Sequence, residues 1–108
     1  MNFIQKTKVG SIYTKYNFKN VNLSNLCLIR WSPETRTQIH NHDGKHCMFI
    51  SINGTLHECR YLHKHMGSLY RSQTIKPLSF YDMKAEDGFH QMFNFDKKVK
   101  YSIHRYYD

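Results

Sequence analysis

The dipeptide Asn53-Gly54, set between two apolar runs, restricts the fold more than any other feature of this chain. Asn-Gly is the strongest short-range hairpin signal, because both central residues of that tight turn need positive φ. Residues 46–52 and 55–61 are therefore expected to be strands on either side of it. Further short runs rich in Ile, Val, Tyr, Phe and Leu recur at residues 9–13, 26–31, 37–42, 69–75, 78–81, 90–95 and 99–106, with turn residues between them. No segment carries a convincing helical period. Many short strands without helices predict an all-β sandwich or small barrel. A barrel mouth is a natural ligand or metal site, because inward side chains of several strands converge there.

The run at 37–42 ends in Ile39-His40-Asn41-His42 and enters a turn at Asp43-Gly44. Successive side chains of a strand point to opposite faces, so His40 and His42 share a face and can hold one ion together. Chance alone yields such pairs in a chain with eight histidines, and His63 and His65 form another. Those two lie beyond the expected hairpin among Lys64, Met66, Gly67 and Ser68, where solvated loop histidines are expected. Downstream of His42 stand Cys47 and the tripeptide Gly88-Phe89-His90, so the pattern predicts a mononuclear metal site.

At 108 residues the chain is sized for one domain, spanning 1–108, and is too short for two cores. No apolar stretch predicts a signal peptide or a spanning helix, so a soluble cytoplasmic protein without membrane association is the expectation. Three cysteines leave an odd one under any pairing and none forms Cys-x-x-Cys, which argues against a disulfide framework or structural zinc. Cys27 and Cys59 read as small apolar fillers of strands. The net charge of +8 invites a nucleic-acid partner. The basic residues are scattered, however, and their one cluster, Lys97-Lys98-Lys100, reads as a solvated turn, which argues against nucleic-acid binding as the main function.

Together these residues resemble the cupin superfamily, whose first motif carries His-x-His, then usually Glu, then Gly. Here Cys47 holds the Glu position, ahead of Gly54, and Gly88-Phe89-His90 with Asn94 resembles the second motif. Cysteine at that position narrows the resemblance to the thiol dioxygenases, and in particular to the cysteine dioxygenase family. Ser102, His104 and Tyr106 alternate on one strand face and match the Ser, His and Tyr of that family. Trp31, His46 and the Tyr13-Thr14 pair also fall where the family has the same residues, so the resemblance covers about residues 13–106.

The resemblance implies a small cupin-type β-barrel (a double-stranded β-helix, or jelly roll) with Fe(II) held by His40, His42 and His90. It implies oxidation of L-cysteine by O2 to cysteine sulfinic acid, two steps up the thiol ladder. Three neutral imidazoles leave the iron more positive than two imidazoles and a carboxylate would, which favours a thiolate ligand. Tyr106 is then expected beside the substrate, with His104 hydrogen-bonded to it and orienting it, a thioether bond between Cys47 and Tyr106, and Ser102 and Trp31 in support. Tyr13 and Lys15 are the implied substrate-binding residues.

Two departures bear on function. Where the family has an Arg that clamps the substrate carboxylate, this chain has Lys15, a point charge in place of a planar two-pronged donor. Weaker binding or a different thiol follows, with Arg36 as an alternative clamp. The chain also resembles a short form truncated at both ends, which leaves a less shielded pocket and an open barrel edge, to be protected by dimerisation or by the lysine turn. The alternatives to a cysteine dioxygenase are thus a dioxygenase for another small thiol or for N-terminal cysteines, and a non-catalytic metal-binding cupin.

Overall fold

Alternating burial along two central strands sets the layering. In the segments LCLIRW and HCMFIS, Cys27, Ile29, Trp31, Cys47, Phe49 and Ser51 are buried while the residues between them are only half-buried, the signature of a sheet with one face on a core. The computed structural model describes residues 4–18 and 25–108. They form strands β1 (Ile4–Val9), β2 (Tyr13–Phe18), β3 (Leu26–Trp31), β4 (Thr35–Arg36), β5 (His46–Ser51), β6 (Leu56–Tyr61), β7 (Leu69–Ile75), β8 (Phe80–Met83), β9 (Phe89–Asn94) and β10 (Lys100–Tyr107). Two single 3-10 turns, Met66–Ser68 and Ala85–Asp87, interrupt them. No helix among the described residues is long and apolar enough to cross a membrane.

The strands make two antiparallel sheets, one of six strands in the order β1-β2-β3-β10-β5-β8 and one of four in the order β4-β9-β6-β7. The chain is all-β, as expected. Cys27, Ile29, Trp31, Cys47 and Phe49 from the larger sheet meet Leu56, Ile75 and Met92 from the smaller one to form the core.

Asn53-Gly54 does not make the hairpin that its sequence signals. β5 and β6 lie in different sheets, so the segment is a crossover, and neither residue has positive φ. The Asn53 side chain is committed elsewhere: its amide donates to Val99 O at 3.1 Å and its carbonyl accepts from Tyr101 N at 2.8 Å. Gly54 is needed for space, since a Cβ there would lie 3.0 Å from Lys100 Cε. Lys100 itself is buried, with Nζ donating to Thr55 O and Asp96, so the lysine cluster is not wholly a solvated turn. The expected strand at 9–13 is instead the β1–β2 connection: Val9 ends β1, Tyr13 opens β2 and residues 10–12 turn between them, with Gly10 at φ 56°. In place of the expected strand at 37–42 there is only a lone bridge between His40 and His90, and the two-residue β4 lies just before that range.

Candidate metal centre

His40, His42 and His90 arrive from two segments. β9 carries His90 in the four-stranded sheet with its side chain buried. The bridge clips His40 to it through two backbone bonds, His40 N to His90 O at 3.0 Å and His90 N to His40 O at 2.8 Å. Beyond His42, the predicted Asp43-Gly44 turn is present, with φ of 54° and 83° and Lys45 N donating to His42 O at 3.1 Å. Positive φ at both central residues is the hairpin-type geometry. One ring nitrogen from each of the three histidines lies within 4.8 Å of the others.

The hydrogen bonds decide where the ring protons sit. His90 Nδ1 faces a Glu58 carboxylate oxygen at 2.8 Å and His40 Nδ1 faces the Gln38 carbonyl at 2.8 Å. Both partners only accept, so both Nδ1 atoms carry hydrogen and both Nε2 atoms expose lone pairs. Those two Nε2 atoms stand 3.1 Å apart. Facing lone pairs repel unless a cation sits between them, and two nitrogens each about 2.1 Å from one ion, at a right angle, lie about 3 Å apart. The donor set therefore fits a metal ion, bound through Nε2 of His40 and His90 with His42 completing one face. Burial, reinforced by the neighbouring His90, lowers the pKa of His40 to about 4 and of His42 to about 3. Both are neutral near pH 7, the state in which imidazole can ligate.

Glu58, which lies outside every motif of the sequence, anchors this arrangement. It is fully buried, and beyond His90 its Oε1 accepts from Arg60 Nε at 2.8 Å and Gln73 Nε2 at 2.6 Å. Burial pushes its carboxyl up, but the hydrogen bond from His90 and the Arg60 guanidinium outweigh this and bring it down to about 2. Arg60 continues outward to Asp87 at 3.3 Å and the Asp82 carbonyl at 2.9 Å. Carboxylate–histidine pairs of this kind fix ring orientation and raise ligand basicity. The available signal was Leu56, Glu58 and Arg60 at alternate positions, which puts two charges on the face of a buried leucine.

On the opposite wall, β10 and β5 pair with Tyr106 directly across from Cys47 and His104 across from Phe49. Trp31 Nε1 donates to Ser102 Oγ at 2.7 Å, and Ser102 Oγ lies 2.7 Å from His104 Nε2. Among the described residues Ser102 Oγ has no other partner, so its proton goes to Nε2 and the Nδ1–H of His104 faces Cys47 Sγ at 3.8 Å. The expected hydrogen bond from His104 to Tyr106 is replaced by this relay, which ends on Cys47. Tyr106 OH instead meets Cys27 Sγ at 4.0 Å, and its ring lies 5.5 Å from that of His42. Burial pushes the Cys47 thiol up to about 12 and the Tyr106 phenol well above its ordinary value, so both are protonated near pH 7.

Between the two walls opens a cavity of about 580 Å³ lined by the three histidines, Tyr13, Lys15 and Tyr106 among others. Tyr13 packs on Trp31 with ring centroids 5.1 Å apart. Lys15 Nζ stands 4.7 Å above the Tyr106 ring, a cation–π contact. Arg36 is not among the lining residues; it borders a separate depression with Glu34, Phe93 and Phe95. His63 and His65 are exposed, as expected, with their rings stacked 6.1 Å apart.

Solved structures with the same architecture include the Drosophila melanogaster CENP-C cupin domain (10% identity, TM-score 0.77, 95% of this chain and 70% of that one). Others are the Momordica charantia 7S globulin (9%, 0.75, 97% and 32%) and a recombinant oxalate oxidase in complex with glycolate (17%, 0.60, 75% and 40%). At these identities the likeness shows the cupin fold alone. No curated protein sequence matches the chain. The profile described as cysteine dioxygenase type I, however, matches residues 11–108, nearly the whole length. By that match, over a cupin fold whose three histidines could hold a metal, this chain belongs to the cysteine dioxygenase type I family.

Proposed function

We propose that the chain is an iron-dependent thiol dioxygenase that converts L-cysteine and O2 to cysteine sulfinic acid. The observation that carries this is the pair of bare Nε2 lone pairs of His40 and His90, 3.1 Å apart in a cavity that also holds Tyr106. The balance is simple: a thiol gains both oxygen atoms and no other atom leaves. Fe(II) held by His40, His42 and His90 would supply the redox chemistry that joins O2 to sulfur.

The chain's own groups do the rest. Lys15, whose Nζ stands over the Tyr106 ring, supplies a positive charge that neutralises the substrate carboxylate. Tyr106, protonated through burial, offers its hydroxyl as a donor to the reacting groups. Tyr13 and Trp31 give one side of the cavity an aromatic surface, and Ser102 holds His104. A thioether between Cys47 and Tyr106, cross-strand partners, would hold the phenol in place. Free thiols at Cys27, Cys47 and Cys59 agree with a cytoplasmic location.

A second reading is a dioxygenase for a larger thiol, such as an N-terminal cysteine. It is favoured by the cavity volume, several times that of free cysteine, and by Lys15 where the family resemblance implies Arg. Oxygen uptake by the anaerobically iron-loaded protein, with mass detection of the sulfinate and His90→Ala as control, tests both. Uptake with L-cysteine matched by sulfinate and lost in the variant is the expected result. Uptake only with a cysteinyl peptide would select the second reading, and no uptake with iron bound would leave a non-catalytic cupin.

A further inference from the structure

Building on the iron-binding reading above, we infer that Gln73, acting with Arg60, is a positioning residue for the metal: by drawing on the Glu58 carboxylate it sets how strongly His90 donates to the ion, and so which oxidation state of iron the site favours. Three neighbouring strands meet at that carboxylate. β6 lies between β7 and β9 in the smaller sheet, and pairing sets Gln73 directly across from Glu58 on one side and His90 directly across from Arg60 on the other. Glu58 Oε2 accepts from His90 Nδ1 at 2.8 Å, while Oε1 accepts from Arg60 Nε at 2.8 Å and Gln73 Nε2 at 2.6 Å. One negative charge is thus divided among three donors. Arg60 cannot swing away from it, because Nη1 donates to Asp87 at 3.3 Å and Nη2 to the Asp82 carbonyl at 2.9 Å, and Asp87 is itself held by Lys84 N at 2.8 Å.

A carboxylate on the Nδ1–H of a ligating imidazole draws on that proton and makes the ring a stronger donor. A stronger donor favours the more highly charged ion, and hydrogen bonds around the ligands are one of the levers on a metal's redox potential. Further donors to the same carboxylate act in the opposite sense, since each spreads its charge. Glu58 is 0% exposed and Arg60 4%, and in so dry a setting these hydrogen bonds count for more than in water. His40 has no such lever, because its Nδ1 faces the neutral Gln38 carbonyl. The direction suits the proposed reaction, which begins from Fe(II): Gln73 and Arg60 hold Glu58 back from stabilising the ferric ion.

Gln73 is the better residue to vary. It is half-buried on β7, at the edge of its sheet, and among the described residues its side chain has one further tie, accepting from Arg71 Nη2 at 3.0 Å. Arg60 is buried, and removing it would leave the Glu58 charge without its counterion. Neither Gln73 nor Glu58 lines the cavity, so a change at Gln73 reaches the metal only through Glu58 and His90.

Spectroelectrochemical titration of the iron-loaded, substrate-free protein tests this. Gln73→Met keeps the length of the side chain and removes the donor. It is expected to raise the ferric-to-ferrous ratio at a fixed potential about tenfold, a fall of about 59 mV in the midpoint. Gln73→Lys puts a charged donor at the same oxygen and is expected to move the midpoint upward. A purely structural role would not give shifts of opposite sign. Each variant has its own expected sign, so either decides the matter alone if the other fails to fold. Unchanged midpoints, or a shift of the wrong sign, in a protein that binds iron and forms sulfinate overturn the role of Gln73 and leave the proposed function standing. A parent protein that takes up no iron overturns both.

Discussion

Glu58 is the residue on which the metal centre turns, because it forces the proton of His90 onto Nδ1 and turns Nε2 towards His40. Glu58→Gln keeps the shape but removes the charge that holds that tautomer and balances Arg60, so metal affinity is expected to fall about 10–100-fold, measured by titration with Fe(II). Tyr106 has a thiol on either side, with Cys47 across the strand pair and Cys27 at its hydroxyl. A thioether forms at ring carbon rather than at oxygen, so a denaturing gel of aerobically iron-loaded protein is expected to show a doublet. Cys47→Ser should collapse it and Cys27→Ser should not; the reverse pattern would assign the bond to Cys27. His40, His42, His90, Cys47 and Tyr106 were legible in the sequence because their spacing is fixed by strand geometry. Glu58 was not, because Leu56-His57-Glu58-Cys59-Arg60 has the polarity of a solvated edge, and its burial depends on an ion-pair network drawn from β7, β8 and β9.

Elements place these residues, and turns place the elements. Gly88 opens β9 two residues before His90, at φ 91°, and a Cβ there would lie 2.5 Å from the Tyr61 carbonyl oxygen. Gly88→Ala is expected to destabilise the fold by about 1–3 kcal/mol, as a strained backbone position does, and to weaken metal binding as β9 shifts. Urea midpoints with and without metal would show both effects. Turn chemistry explains which strands were readable. Asp43-Gly44 behaves as its residues dictate, with Asp43 N donating to the nearby Asn41 Oδ1 at 3.3 Å, whereas Asn53 spends its amide on the 99–101 segment and the chain then crosses to the other sheet. β1 and β2 were missed because Lys6, Lys8, Thr14 and Lys15 dilute the apolar pattern; β2 gains its place by pairing with β3.

For the whole molecule, the buried histidines and Glu58 bias stability in one direction on the acid side. In the metal-free protein His40 titrates at about 4, and His42 and His104 at about 3, all below the ordinary 6.5, with burial as the main cause. Between those values the unfolded chain binds more protons than the folded one, so this contribution is complete above pH 6.5 and is lost as pH falls. Glu58, lowered from 4.5 to about 2, acts in the same sense over its own range. Urea midpoints are therefore expected to drop steadily from pH ~7 to ~4.5, and bound metal should oppose the drop by holding the imidazoles deprotonated. An all-β chain was readable from the turns alone, but the assignment of each strand to a sheet was not, since partner choice rests on contacts between distant residues.

The bridge that clips His40 to His90 also bears on how the centre comes into being. It closes a loop of fifty residues, and pairings so far apart in sequence are slow to form because loop-closure entropy is paid first. A chain emerging from the ribosome exposes His40 and His42 long before His90 and Tyr106 exist. The three-histidine centre is thus an end product of folding, and metal taken up earlier would meet only two imidazoles.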